Sequence, residues 1–234
     1  MQENGSNSPF GFGGAYIAIV SKIFDLCMLG VLWTILSLPI ITIGASTTAL
    51  YYAVVKSVKN DEGYASRMFF RSFRRNFIQA TILWLVTAAL FFLLRLNTGI
   101  LMAKTEGLFG LLMIGFYTAA AVYVILAAAY MFPALSRFEM DTFWFLRIAL
   151  YMVARYILPS LVIALILAMA GIFVWRIPLL ILLLPGPVTF LISEFMERVL
   201  ARHMPLDQKD SDNSDSLIDI QNTDNKKNAK NSED

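Results

Sequence analysis

Apolar residues in this chain neither alternate nor recur as a narrow stripe; they run on for the length of a membrane crossing. A hydrocarbon core about 30 Å thick takes roughly 20 apolar residues as a helix, within a range of about 17–25. Five stretches meet that requirement: Ile23–Ile43, broken only by Asp25 and Pro39; Phe77–Leu94; Leu108–Leu135; Tyr156–Trp175; and Ile177–Ser193, which holds Pro178, Pro185 and Pro187. Barrel strands are about ten residues of alternating polarity, and these runs are continuous and longer. The pattern predicts an all-α integral membrane bundle of about five transmembrane helices, with amphipathic helices at the cytoplasmic interface. The first run does not read as a cleaved signal, because residues 1–14 carry no Lys or Arg and no small-residue cleavage site comes after it. Residues 1–14 are expected to form a polar extracytoplasmic tail, 15–203 the membrane domain, and 204–234 a polar cytoplasmic tail.

Composition removes the competing classes. Hydrophobic residues make up 58% and charged residues 15% of the 234 residues, and the mean hydropathy is +0.64. A chain this apolar cannot cover its core with polar surface, which excludes a soluble enzyme, a disordered chain and a disulfide scaffold. Cys27 is the one cysteine and His203 the one histidine, so neither a bridge nor a histidine metal cluster is expected. A net charge of +2 gives no reason to expect nucleic acid. With five spans, 15 basic residues fall on one set of alternate segments and 4 on the other. The excess of Lys and Arg on cytoplasmic loops then places the N-terminus outside and the C-terminus inside.

The connection from Ser37 to Phe77 is the most informative. Pro39 should end or kink the first span, and Gly44 permits a bend. Ser46, Thr47 or Thr48 can cap a second helix reaching about Val58, and Asn60-Asp61-Glu62-Gly63 signals a turn. From Ser66 a helix resumes. At 100° per residue, Arg67, Arg71, Arg74 and Arg75 fall within about a 100° arc, with Phe69, Phe70, Phe73 and Phe77 assigned to the other side. Such a helix would lie in the interface with its basic side on lipid phosphates. It reads either as a docking surface for a partner or anionic ligand, or as an anchor that fixes topology. Thr42, Ser46, Thr47 and Thr48 invite a parallel choice between solute contact and close helix packing, and hydroxyl residues in membranes favour packing.

Elsewhere the chemistry is sparse. Pro133–Ile157 has a similar outline, with Asp141 as a possible cap and Arg147 and Arg155 beside Phe143-Trp144-Phe145. Arg75-Asn76-Phe77-Ile78 against Ala154-Arg155-Tyr156-Ile157 hints at a parallel repeat. Asp25 and Arg95 could pair or each reach interfacial water. Glu194, Glu197, Arg198 and Arg202 have the spacing of a surface ion-pair ladder. The prolines of the fifth span could break that helix. The tail from Asp207 holds 8 acidic and 4 basic residues, the composition of a solvated, disordered segment. No phosphate loop, metal-ligand pair, nucleophile elbow or dinucleotide fingerprint occurs, so neither an enzyme nor a cofactor is expected.

The segments SLPIITIGASTTALYY (Ser37–Tyr52) and DEGYASRMFFRSFRRNFIQATILW (Asp61–Trp84) resemble the YesL-like family of small bacterial membrane proteins of unknown function. The resemblance covers most of residues 15–203. It implies a multi-pass plasma-membrane protein, generally of Gram-positive bacteria, often encoded beside carbohydrate uptake and polysaccharide breakdown. It carries no activity, cofactor or catalytic residue, and the tail after Pro205 extends past the family's usual end. Three functions are then open. The first is an accessory of a carbohydrate-uptake system that contacts a sugar ABC permease or another membrane protein. The second is a small solute transporter acting as a homo-oligomer, and the third is a membrane scaffold or signalling partner.

Overall fold

The computed structural model describes residues 11–60, 64–104, 107–138 and 140–200. Hydrocarbon offers backbone N–H and C=O groups no water, so a segment that crosses must satisfy them internally. Every described element is accordingly helical: α1 Gly11–Leu36, α2 Ile43–Ala53, α3 Ala65–Lys104, α4 Leu108–Arg137, α5 Thr142–Arg155, α6 Ile157–Arg176 and α7 Pro185–Leu200. Short 3-10 turns at Ile40–Thr42 and Pro178–Leu182 and a π-helical turn at Val54–Lys59 join them. The result is a helical membrane bundle.

Among the described residues four helices, α1, α3, α4 and α6, are long and apolar enough to cross a membrane, not five. The expected fifth span is broken by its own prolines. Pro178 opens the 3-10 turn and Pro185 stands first in α7, where a residue without an N–H loses no helical hydrogen bond. The 16 residues of α7 rise only about 24 Å.

Other boundaries also move. Helix α1 begins at Gly11 and ends at Leu36, before Pro39. The hydroxyl residues do not cap α2, which already starts at Ile43. Asp141 occupies the N-cap position of α5 without a side-chain bond to the helix.

The largest departure concerns α3. Arg67–Arg75 does not form a separate helix lying in the interface; it is the opening part of one 40-residue helix that continues through the apolar stretch. The reason is local. No Gly or Pro occurs between Ala65 and Thr98, so nothing interrupts the backbone ladder. The short match that hinted at a parallel repeat falls on unlike local structure. Arg75–Ile78 lies inside α3, whereas Ala154–Ile157 spans the break at Tyr156 between α5 and α6.

Among the described residues two clusters form the core. One gathers Leu26, Leu29, Leu50, Val54, Val58 and Phe69 from α1, α2, the π-helical turn and α3. The other joins Ala80 and Leu83 of α3 to Tyr130, Met131 and Leu135 of α4, Phe145, Ala149 and Met152 of α5, Ile163 of α6 and Met196 of α7. Helix α5 is amphipathic, with Phe145 and Met152 inside and Phe143 facing outward. Tyr130 and Ser160 hydroxyls meet at 2.9 Å and tie α4 to α6.

Glycine sets the closest approaches. A Cβ at Gly44 would lie 2.6 Å from the Ala80 carbonyl oxygen and 2.6 Å from Trp84 Cβ, and one at Gly186 would run into the Leu26 carbonyl. At Gly99 and Gly115 a Cβ meets nothing within 4 Å. Overpacking a tight contact costs about 1–3 kcal/mol. Gly44→Ala and Gly186→Ala should therefore lower the melting temperature in mild detergent, while Gly99→Ala and Gly115→Ala leave it unchanged or slightly raised. Equal behaviour of the two pairs would disprove the packing assignment.

Candidate functional site

Helix α3 rises about 60 Å, twice the hydrocarbon thickness, so its basic N-terminal turns lead directly into its apolar stretch. Their orientation is fixed from behind. Ala65, Met68, Phe69 and Ser72 are buried, and Phe69 packs in the cluster with Leu26, Leu29 and Val58. Phe69 stacks on Phe73 at 6.4 Å and Phe73 meets Phe77 at 5.4 Å. Arg67, Arg71, Arg74 and Arg75 are all exposed on the other side. Phe70 meets Phe69 edge-on at 5.9 Å but does not share its buried face. It is 41% exposed and lines an open hollow with Arg67, Arg71, Arg74 and Arg75. At 100° per residue it stands nearer to Arg74 than to Phe69, so the site is an arginine surface with an aromatic ring set into it. Guanidinium groups stay charged and present planar forks of donors suited to carboxylate and phosphate oxygens.

A second hollow adjoins it, lined by Arg75, Asn76, Gln79, Phe138, Met140 and Asp141. Gln79 donates from Nε2 to the Met140 carbonyl at 2.7 Å, joining α3 to the link between α4 and α5.

Beside these lies a polar node that sequence reasoning missed. Glu197 of α7 accepts from Arg137 Nη2 at 2.6 Å and from the Tyr51 hydroxyl at 2.7 Å. Tyr51 is 2% exposed. Burial and the neighbouring Glu197 carboxylate keep its phenol protonated well above the usual tyrosine range. One turn earlier, Glu194 pairs with Lys59 at 3.0 Å and with Arg198 at 3.6 Å. The hydrogen bond and charge of Lys59 hold that carboxyl below the usual glutamate range. The expected surface ladder is thus half realised: Glu194–Arg198 forms, while Glu197 turns inward. Arg202 and His203 lie outside the described residues. The available signal was Arg137, a lone cation closing an uncharged span, which called for an anion from elsewhere in the chain.

The hydroxyl run turns to backbone. Thr42 donates to the Leu36 and Pro39 carbonyls, Ser46 to Thr42 at 3.0 Å, Thr47 to Ile43 at 2.7 Å and Thr48 to Gly44 at 3.0 Å. Thr47 also accepts from Trp33 Nε1 at 3.1 Å. A cavity of about 370 Å³ lies beside it, bounded by Trp33, Ala128, Phe132, Leu167, Gly171 and Leu184 among others. Its lining is almost wholly apolar. Asp25 and Arg95 form no ion pair with each other, and Cys27 is a half-buried free thiol. Among the described residues no three His, Cys, Asp or Glu side chains gather as metal ligands.

Residues 26–98, from the second half of α1 through most of α3, are similar to the family described as Protein of unknown function, DUF624. That stretch contains both sequence motifs and all four arginines. No curated protein and no solved structure matches the chain.

The node makes a stability prediction. Removing one partner of a fully buried ion pair costs about 3–5 kcal/mol. Arg137 and Glu197 side chains are 10% and 23% exposed, so Glu197→Ala should cost less, about 2–3 kcal/mol. Tyr51→Phe should cost about 1.5 kcal/mol, as for a hydrogen bond to a charged group, and Arg137→Met with Glu197→Leu should recover most of the loss. Lys59→Ala, at a partly exposed pair, should cost less than Glu197→Ala and melt closer to the parent protein. Thermal unfolding in one detergent decides the order, and a Glu197→Ala variant as stable as the parent would show that the node does not hold the bundle together.

Proposed function

We propose that this protein is a membrane-embedded docking protein, with a fixed arginine surface that holds an acidic face of another membrane component on the cytoplasmic side of the plasma membrane. One observation carries the reading: Arg67, Arg71, Arg74 and Arg75 project together from a helix that is buried behind and continuous with a membrane-crossing stretch. A surface anchor needs no such rigidity, whereas a docking face gains from side chains whose backbone is already ordered.

The orientation is part of the same proposal. Lys59, Arg137 and Arg198 come together through Glu194 and Glu197, and Lys59 precedes α3's basic turns by a short connection. These basic residues thus meet at one positively charged end, which supports placing that end on the cytoplasmic side. The resemblance to YesL-like proteins supplies the context, an accessory role in carbohydrate uptake with a sugar ABC permease as the kind of partner. A transporter finds less support. A sugar needs polar groups along its path, and the helix hydroxyls are engaged with backbone carbonyls around an apolar cavity. No catalysis is proposed.

The test is co-purification of the tagged protein from native membranes in mild detergent, with and without Arg71→Gln/Arg74→Gln/Arg75→Gln. A stoichiometric membrane partner should accompany the parent and fall at least about tenfold in the triple variant, the effect of losing about 1.4 kcal/mol of binding. Thiol labelling of single cysteines placed at each end in a Cys27→Ala background should show the same topology for both proteins. An inverted triple variant would make the arginines a topology anchor, and recovery of the parent without any partner would defeat the docking reading.

A further inference from the structure

The chain beyond α7 can reach the arginine surface, and it carries the opposite charge. Helix α7 ends at Leu200. Six residues before its end, Glu194 holds Lys59 at 3.0 Å, and Lys59 is only eight residues from Arg67 along the chain. The start of the arginine surface is thus within about 28 Å of Glu194's partner even if that connection were fully extended. Beyond Leu200 lie 34 further residues. Ten of them, drawn out, span roughly 33–36 Å, so reach does not limit contact.

Charge within that tail is unevenly placed. From Asp207 to Asp224 there are six Asp, at 207, 210, 212, 215, 219 and 224, against the single Lys209. Lys226, Lys227 and Lys230 stand apart, nearer the C-terminus. Within the acidic stretch, the apolar residues Leu217, Ile218 and Ile220 stand close in sequence to Asp215 and Asp219. The arginine surface has the complementary arrangement, four exposed arginines around the half-exposed ring of Phe70.

From this we infer that the segment Asp207–Asp224 docks in cis on the Arg67–Arg75 surface, its carboxylates on the guanidinium groups and its apolar residues on Phe70, and so competes with whatever else binds there. The inference rests on reading that surface as an anion-binding face, and it adds the regulation of that face. Tethering supplies a local concentration on the millimolar scale. A segment with an intrinsic affinity of about 0.1 mM then covers the face roughly nine-tenths of the time and weakens a competitor about tenfold. Salt shortens the range of such attraction to about 3 Å at 1 M, so high salt opens the face.

The experiment uses the full chain in nanodiscs of phosphatidylcholine, with fluorescein-labelled hexaglutamate as the probe. Asp210→Asn/Asp212→Asn/Asp215→Asn/Asp219→Asn should bind the probe about tenfold more tightly than the native tail at low salt. Adding Arg71→Gln/Arg74→Gln/Arg75→Gln should abolish binding in both backgrounds. If the tail variant binds no tighter while the arginine variant abolishes binding, the face takes anions but the tail does not cover it, and the inference falls alone. If the arginine changes leave binding to the tail variant intact, the anion-binding reading falls as well.

Contact itself is read by oxidation of Phe70→Cys with Ser216→Cys in a Cys27→Ala background. A bond within one chain, lost on neutralising the four aspartates, is the expected product. A bond only between chains would overturn docking in cis. Loss of the bond in phosphatidylglycerol nanodiscs, with the native tail, would assign the face to lipid headgroups.

Discussion

Inside hydrocarbon a backbone amide has no partner except another backbone group, and an uninterrupted helix is the one local arrangement that supplies it. Helix α3 shows how far that constraint reaches. Because no Gly or Pro occurs in it before Gly99, the ladder that satisfies the membrane stretch also runs through the turns that carry the arginines. Helix α2 packs along it with Gly44 against Ala80 and Trp84, and Trp84 Nε1 donates to the Ile40 carbonyl at 2.7 Å, which takes up a carbonyl in the turn after Pro39. The positions of α1, α2 and α4 therefore depend on a helix whose continuity is set by its own sequence.

The C-terminal part of the bundle is held differently. Prolines deny it a single crossing helix, and α7 is secured by contacts of two kinds. At its start Gly186 allows the backbone to touch α1 at Leu26. Toward its end Glu197 closes on Arg137 and Tyr51. A charged group away from water is costly unless paired, so Arg137 and Glu197 each make the other's position tolerable. This connects α2, α4 and α7, which are far apart in the chain, through one carboxylate.

Much of this is legible in the sequence because long apolar runs and broken ones have direct physical meanings. The helical class, the stop at Pro39 and the basic cluster of α3 follow from residue type and spacing. The length of α3 is hidden because the change from arginines to apolar residues at Phe77 resembles a boundary, although chemistry of the side chains does not interrupt a backbone. Phe70 groups with Phe69 and Phe73 on first reading because four aromatics so close in sequence suggest one face, while helical geometry turns Phe70 toward Arg74. The fifth span fails where hydrophobicity and backbone chemistry disagree. Tyr51–Glu197–Arg137 is out of reach, since no periodicity within a segment specifies which distant residue completes an ion pair.

The continuity of α3 has a mechanical consequence. Hydrogen bonds that repeat without a hinge make the helix a lever: tilting its basic end by about 5° displaces the far end, about 60 Å away, by roughly 5 Å. A load applied to the arginine end is therefore not absorbed there. It emerges as a shift of the turns near Lys104, where α3 passes to α4 through Gly107, the one described glycine with a positive φ, at 89°. The first membrane-crossing stretch after the arginines is thus also a rigid mechanical link between the two surfaces of the bilayer.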